Sequence, residues 1–457
     1  MAGYENWHLF FDYGVGWVDV TASVDSFRAP ITGGLGDGVE TSEEPGVLRF
    51  LLSNPTHSFT PGNASSPMAL TTGMPVRLTE QIGIFVFELH RGTIEFPEIT
   101  DWAGPGLDQQ IAVQSVDQLS RWERSRTFLS TLAAYVQHRG TTGTSLQGYW
   151  PLNEPSGTTF RSAFGTLPNL GLYVVDGNNY TPAQIDNANG SVAPADDLSV
   201  LRMTRVPPAA QLRLRSVSSP AITLNAGQVI TAVVWVNVEP TTATLMYPLV
   251  LQLSETGPTA TGFVRIAYNV TVGDIVADLT GTSLTGSTTT TGGNSAITGQ
   301  PIPLALRYGY TPNTLEMWVR DKIYVAAVGG VAPTGTTITE IRVADLHNGL
   351  IGHAQLYVGA ATDYTNADFV AQYHMGFEGM ERQLTGARIR TIGAYMGLTD
   401  SEMPDVDAGC SVMSAARLAG KTAAEAMYEA RNTEQGRLFI AGNGSLTFQD
   451  RRTILNV

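Results

Sequence analysis

Trp17-Val18-Asp19-Val20-Thr21 alternates apolar and polar side chains, which is the period of a half-buried strand. Reading outward from it, a glycine-rich loop follows (Gly33, Gly34, Gly36, Gly38) and then Gly46-Val47-Leu48-Arg49-Phe50-Leu51-Leu52, a second strand ended by the turn residues Ser53-Asn54-Pro55. Pro75-Val76-Arg77-Leu78, the run from Ile84 to Ile94 and the alternating Gln110-Ile111-Ala112-Val113-Gln114-Ser115-Val116 add further strands. Several short strands at this spacing predict a small antiparallel barrel. From Asp117 to Tyr135 the period changes: Leu119, Trp122, Phe128, Leu129, Leu132 and Ala133 suit one face of a helix that Asp117 would cap.

The chain has 457 residues, of which 43% are hydrophobic, enough for a sizeable core in two to three domains. Charged residues are only 15%, and 27 basic side chains face 41 acidic ones, a formal charge of −14. Sequence-independent nucleic-acid binding neutralises phosphates with Lys and Arg, so this balance disfavours it. Only Lys322 and Lys421 are lysines, and the dominance of Arg reads as a compositional bias rather than as dedicated anion recognition. No apolar run approaches the ~18 residues of a membrane span, and no basic-then-apolar leader is expected at the start. One cysteine, Cys410, excludes an internal disulfide framework, and a buried, inert thiol is expected there.

Residues 146–375 read as a second all-β unit, whose clearest strands are Val229 to Val238, Leu249 to Leu253, Phe263 to Val270, Leu304 to Tyr308, Leu315 to Val319, Ile323 to Val328 and Ile351 to Val358. Gly281 to Gly299 is nearly all Thr, Ser and Gly without periodicity, and a loop is expected. Residues 376–457 switch again. Thr385 to Met396 suits a helix, Thr422 caps another with Glu425 at capping-box spacing, and Arg437-Leu438-Phe439-Ile440 and Leu446-Thr447-Phe448 flank Gly442-Asn443-Gly444 as a hairpin. Two helices and a hairpin make a thin core. Residues 376–457 are therefore expected to pack with 1–145, with 146–375 inserted into that split platform.

Catalytic patterns are missing. The seven histidines form no metal spacing, no Gly-x-Ser-x-Gly elbow is present, and no Glu-x-Asp-x-x-Glu carboxylate pattern supports a glycosidase. Glu316 and Arg320 would pair on one face of a strand. Asp196-Asp197 and Asp363 are the residues that would hold calcium if any did, but two adjacent acids in a loop are weak evidence. The expectation is no catalysis, no cofactor and no metal. Sugar faces stack on exposed rings, so Tyr308, Tyr310 and Tyr149 are the glycan-contact candidates, led by Tyr308-Gly309-Tyr310 beside a proline turn.

The two flanks resemble minor tail proteins of long-tailed phages of actinobacteria. The resemblance rests on Trp17-Val18-Asp19-Val20-Thr21, Pro45-Gly46, Phe59-Thr60-Pro61-Gly62-Asn63 and Pro75-Val76-Arg77 at the start. At the end it rests on Thr385-Gly386-Ala387-Arg388-Ile389, Thr433-Glu434-Gln435-Gly436-Arg437-Leu438-Phe439 and Asp450-Arg451-Arg452. It implies a tail-tip (baseplate) hub that continues and closes the tail tube, with a barrel-type platform forming a homo-oligomeric ring, a trimer first. The middle resembles concanavalin-like (laminin-G-type) jelly rolls through Gly148-Tyr149-Trp150-Pro151-Leu152-Asn153-Glu154, Ile230-Thr231-Ala232-Val233-Val234-Trp235-Val236, Leu315-Glu316-Met317-Trp318-Val319 and Gly352-His353-Ala354-Gln355-Leu356-Tyr357. The segment from Asp368-Phe369 to Tyr373-His374 is read as the end of that sandwich.

Together these give a mainly β chain: a platform of 1–145 (β barrel plus helix) and 376–457 (small α+β segment), split by an antiparallel β-sandwich at 146–375. The implied setting is the virion tail tip, assembled in the host cytoplasm. Expected partners are the distal tail ring, tape measure and tail fibres, with host cell-wall glycan for the sandwich and no membrane insertion. DNA would pass without specific binding, and acidic walls repel phosphate over roughly the ~8–10 Å Debye length. Asp19, Asp25, Asp37, Glu40, Glu43 and Glu44 are the channel-lining candidates, the alternative being an ordinary solvated acidic loop. The alternatives for the whole chain are a hexameric distal tail ring protein or a carbohydrate-binding adhesin.

Overall fold

The computed structural model describes the chain except residues 1–5, 28–45, 102–108, 144, 166, 175–184, 187–190, 197, 205–211, 219, 221, 240–244, 255–260, 270–272, 281–284, 290–298, 310–313, 321, 329–335 and 456–457. It is mainly β with antiparallel sheets, and divides into two compact units. The first comprises Met1–Thr127, Arg382–Ser414 and Gly420–Val457; the second comprises Phe128–Glu381 and Ala415–Ala419.

In the first unit seven strands alternate apolar residues inward: β1 (Trp7–Asp12), β2 (Trp17–Asp19), β3 (Val24–Phe27), β4 (Val47–Ser53), β5 (Pro75–Ile82), β6 (Phe85–Asp101) and β7 (Gln110–Val116). Their order is β2-β1-β5-β6-β7-β4-β3. β2 and β3, at opposite ends of this path, are separated by only a 3-10 turn, Thr21–Ser23. The sheet must therefore curl until its ends approach. It does so around Leu9, Phe11, Phe50, Val76, Leu78 and Ile111, with the Trp7 and Phe27 rings 5.3 Å apart. No hydrogen-bonded ladder joins β2 to β3 among the described residues, so the expected closed barrel is an open, curled sheet. The two ends are strands of three and four residues, too short for a long closing ladder, and at the turn Val20 N–H donates to Leu9 and the Leu9 N–H to Thr21 Oγ1, which extends the β1–β2 pairing.

The C-terminal part of this unit contains helices Thr385–Tyr395 and Ala423–Glu434, the hairpin Arg437–Ile440 with Leu446–Gln449, and helix Arg451–Leu455. Its local signals act as read: Thr422 and Glu425 form a reciprocal capping box. It touches the N-terminal part of the same unit directly. The Tyr428 hydroxyl donates to Glu123 Oε1 at 2.9 Å, and Gly442 lies so close to the Glu88 carbonyl that a Cβ would be 2.8 Å from its carbon.

The helix expected over Asp117–Tyr135 is two helices. Gln118–Glu123 has Asp117 accepting from the Ser120 N–H, and Thr131–Thr142 is capped by Ser130. The second of these belongs to the second unit, so the compact units divide at Thr127/Phe128 and Glu381/Arg382.

The second unit is a sandwich. Its first sheet runs Phe164–Gly165, Leu146–Trp150, Gly349–Ala360, Gln228–Val238, Pro301–Gly309, Thr314–Val319, Lys322–Ala327. Its second runs Thr285–Thr289, Asp274–Thr280, Thr261–Asn269, Leu245–Ser254, Thr337–Asp345, Leu212–Ser216, Leu170–Val174, Thr159–Phe160. Between them lies the main core, including Trp150, Ile230, Val234, Leu251, Ile266, Ile341 and Leu356. The other face of the first sheet is apolar as well. Tyr149, Val233, Trp235 and Trp318 pack there with Leu132 and Val136 of Thr131–Thr142 and Phe369 of Asn366–Glu378. Burial on both faces explains why Val229–Val238 is almost continuously apolar rather than alternating.

Two expectations change here. The segment from Asp368-Phe369 to Tyr373-His374 is helical, within Asn366–Glu378; Thr365 and Asp368 form its capping box, a signal present in the sequence. Thr285–Thr289, expected to lie in a loop, is an edge strand paired with Asp274–Thr280. Threonine favours extended backbone, and a neighbouring strand supplies the ladder that composition alone does not reveal.

Candidate functional site

Two of the three tyrosine candidates, Tyr308 and Tyr149, are buried and so out of reach of a ligand. Tyr308 is fully buried between the two sheets. Tyr149 is fully buried on the helix-covered face, where its hydroxyl meets His353 Nδ1 at 2.8 Å. His353 Nε2 meets Asp196 Oδ2 at 3.0 Å, and Asp196 Oδ1 accepts from the Leu132 N–H at the start of a helix. Burial pushes the Tyr149 phenol well above its ordinary range. This closed chain orders the core. Strand alternation alone did not tell that both faces of the first sheet are covered, so neither tyrosine contacts a glycan. Tyr310 lies outside the described residues.

Of the acidic candidates, Asp37, Glu40, Glu43 and Glu44 lie outside the described residues. Asp19 is exposed and accepts from the Thr21 N–H at 2.9 Å. Partial burial works against its ionisation, but the Thr21 bonds and the nearby His8 hold its carboxyl below the usual range. Asp25 is exposed and accepts from Gln110 Nε2 at 2.8 Å.

Two other sequence readings are corrected. Glu316 pairs with Arg307, not Arg320, because Arg320 sits past the strand at φ +58° and donates to Gln300. Cys410 is half-buried rather than buried: it donates to Asp450 Oδ2 and accepts from Arg452 Nε at 2.6 Å. Of the residues that would hold calcium, Asp197 lies outside the described residues, Asp196 meets His353 and accepts from the Leu132 N–H, and Asp363 accepts from the Ala360 N–H. Among the described residues no three His, Cys, Asp or Glu side chains group to hold a metal.

Cross-strand register assembles something the linear sequence hides. On the outward face of the second sheet, Gly171 stands opposite Arg215, Arg215 opposite Arg342, Arg342 opposite Val250, Val250 opposite Arg265, and Arg265 opposite Asp278. One row thus crosses six strands. Three guanidiniums in it lie over aromatic rings: Arg215 over Tyr173 at 3.8 Å, Arg265 over Tyr247 at 4.9 Å and Arg342 over Phe263 at 5.4 Å. Such stacking orients an arginine and keeps its donor edge available. Arg265 Nε also donates to both oxygens of Asp278, at 2.7 and 3.0 Å, and Arg342 binds Glu340 and Gln252. Arg213, opposite Tyr173, faces Asp345 at 3.4 Å. Burial raises the Asp345 carboxyl, with the neighbouring arginines opposing that shift. The signal in the sequence was the alternation Leu212-Arg213-Leu214-Arg215, but no linear pattern gives the register that aligns it with Arg265 and Arg342.

The first unit carries a different exposed feature. At the tip of the β5–β6 hairpin, Ile82, Ile84, Phe85, Val86 and Phe87 are all exposed, from 49% for Phe87 to 88% for Ile84. Consecutive strand residues point to opposite faces, so both faces of this tip are apolar. Contiguous exposure of this kind marks interaction surfaces.

No family model and no curated protein matches the chain. Among solved structures, domain 4 of an extracellular arabinanase from Geobacillus stearothermophilus, bound to arabinotriose, is 13% identical over 50% of this chain and 98% of that one, with a TM-score of 0.33. An endo-1,3-β-glucanase from Streptomyces sioyaensis is 9% identical over 47% of this chain and 96% of that one, TM-score 0.30. A Trypanosoma rangeli sialidase bound to sialic acid is 8% identical over 79% of this chain and 56% of that one, TM-score 0.30. Overlap this slight carries no argument about what the chain does.

Proposed function

We propose that this chain is a structural virion protein of a long-tailed phage, the tail-tip hub. The unit built from both chain ends is the platform, a curled-sheet ring segment that continues and closes the tail tube as a trimer. The sandwich is a concanavalin-like jelly roll that contacts the host surface or a neighbouring tail protein. No catalysis is proposed. The observation that carries this reading is the joining of residues 1–127 with 382–414 and 420–457 in one compact unit, which the sandwich interrupts in sequence. The tail-protein resemblance is confined to those flanks, and within the C-terminal one two of its residues pair, Arg451 Nε lying 3.4 Å from Glu434 Oε1. The apolar hairpin tip supplies a contact element for ring assembly, where large obligate interfaces are core-like. Closed symmetry follows, because a ring interface must close.

Electron microscopy of the purified particle tests the reading. Threefold density at the tail tip containing this chain is expected, and sixfold density above the tip would favour a distal tail ring instead. A second reading, a carbohydrate-binding adhesin, is favoured by the arginine and aromatic face. A glycan array on the whole chain, read together with the particle's symmetry, separates the two.

A further inference from the structure

We infer that the outward face of the second sheet binds an acidic saccharide, with Arg215 pairing the anionic group and Tyr173 forming the platform beside it. The inference deepens the glycan-contact part of the proposed function and rests on it. The pairing of the arginines on the face points to the ligand class. Arg213, Arg265 and Arg342 each have a carboxylate, in Asp345, Asp278 and Glu340. Arg215 has none among the described residues: its guanidinium is held only by stacking on Tyr173. Arg215 is thus the one arginine of these four without a carboxylate partner among the described residues.

Geometry agrees. Tyr173 is 41% exposed, so stacking with Arg215 leaves part of its ring open. Gly171, directly opposite Arg215, has no side chain to crowd the guanidinium. A planar fork pre-oriented by a ring suits a carboxylate or phosphate oxygen pair better than a lone hydroxyl. Arg342 and Arg265 continue the row, and with Gln252 they offer further polar contact along an extended chain. A single guanidinium without a carboxylate partner argues against a nucleic acid as the occupant, since that affinity comes from many phosphate contacts at once.

The test titrates the full-length chain with polygalacturonate, a glycerol-phosphate polymer and neutral dextran, at low and physiological salt. Saturable binding to at least one acidic polymer is expected, weakened by salt and absent for dextran; the first two probes tell a uronate from a phosphate. Arg215→Gln should weaken that binding roughly tenfold to a hundredfold, the loss of a charged hydrogen-bond partner. Arg215→Lys should recover part of it, because the charge stays and the fork is lost. Arg320→Gln, past the end of a strand in the other sheet, should change nothing. Equal binding by Arg215→Gln, or equal affinity for a single-stranded oligonucleotide, would overturn the inference. Binding of dextran alone overturns the acidic class and leaves glycan contact standing, whereas silence toward all three polymers and a neutral glycan array overturns both.

Discussion

Glu434→Gln is the substitution that most directly tests how the C-terminal segment is held. Glu434 is fully buried, and its Oε2 accepts three hydrogen bonds, from Thr385 Oγ1 at 2.8 Å and from the Cys410 and Ser411 N–H groups at 2.9 and 2.8 Å. Arg451 stands 3.4 Å from the other oxygen. One carboxylate thereby joins the start of one helix, the end of another, a loop and the C-terminal turn. Burial alone would raise its pKa, but these donors outweigh burial and bring the carboxyl down to about 2 from an ordinary 4.5. A depressed carboxylate stabilises the fold above its unfolded value and loses that contribution as pH falls toward the folded one. The shift corresponds to about 3 kcal/mol at pH 7, falling to about half of that by pH 3. Glutamine keeps an acceptor for the three donors but loses the charge, and it turns an amide toward Arg451. Urea unfolding followed at pH 7, 4 and 3 should show the wild type more stable by about 2–4 kcal/mol at neutral pH, with the gap closing as the solution is acidified. An unchanged midpoint at pH 7, or a gap that stays constant down to pH 3, would refute the account.

The joining of the two chain ends predicts that Gly442→Ala destabilises the first unit by about 1–3 kcal/mol, because its Cβ would press on the Glu88 backbone; hydrogen exchange should show added opening in both β6 and the C-terminal hairpin, and a change in the hairpin alone would contradict the contact. Phe85→Ser together with Phe87→Ser removes exposed apolar surface and should leave the melting temperature unchanged while lowering self-association in sedimentation velocity; an unaltered oligomer would remove the hairpin from the assembly argument. Asp196→Ala strands the His353 imidazole and the Leu132 N–H in the sandwich core, and calorimetry should find a loss of about 3 kcal/mol; a neutral effect would mean the chain from Tyr149 to Asp196 is not structural.

Sequence by itself determined what short-range chemistry controls. Alternation marked the strands of the first sheet, Thr422 with Glu425 and Asp117 with Ser120 set helix starts, and the Gly442-Asn443-Gly444 turn placed the terminal hairpin. Each of these depends on hydrogen bonds within a few residues. The thin composition of the C-terminal segment also argued that it needed the N-terminal strands to complete a core. Burial was another matter. Tyr149 and Tyr308 sit on strands whose pattern does not distinguish a wet face from one covered by helices, as Tyr149 is, or by the opposite sheet, as Tyr308 is. The row through Arg215, Arg342 and Arg265 was equally out of reach, since a shift of one residue in any ladder would turn an arginine inward. Only the folded chain fixes those registers, because hydrogen bonds between distant strands, not neighbours in sequence, choose which side chains share a face.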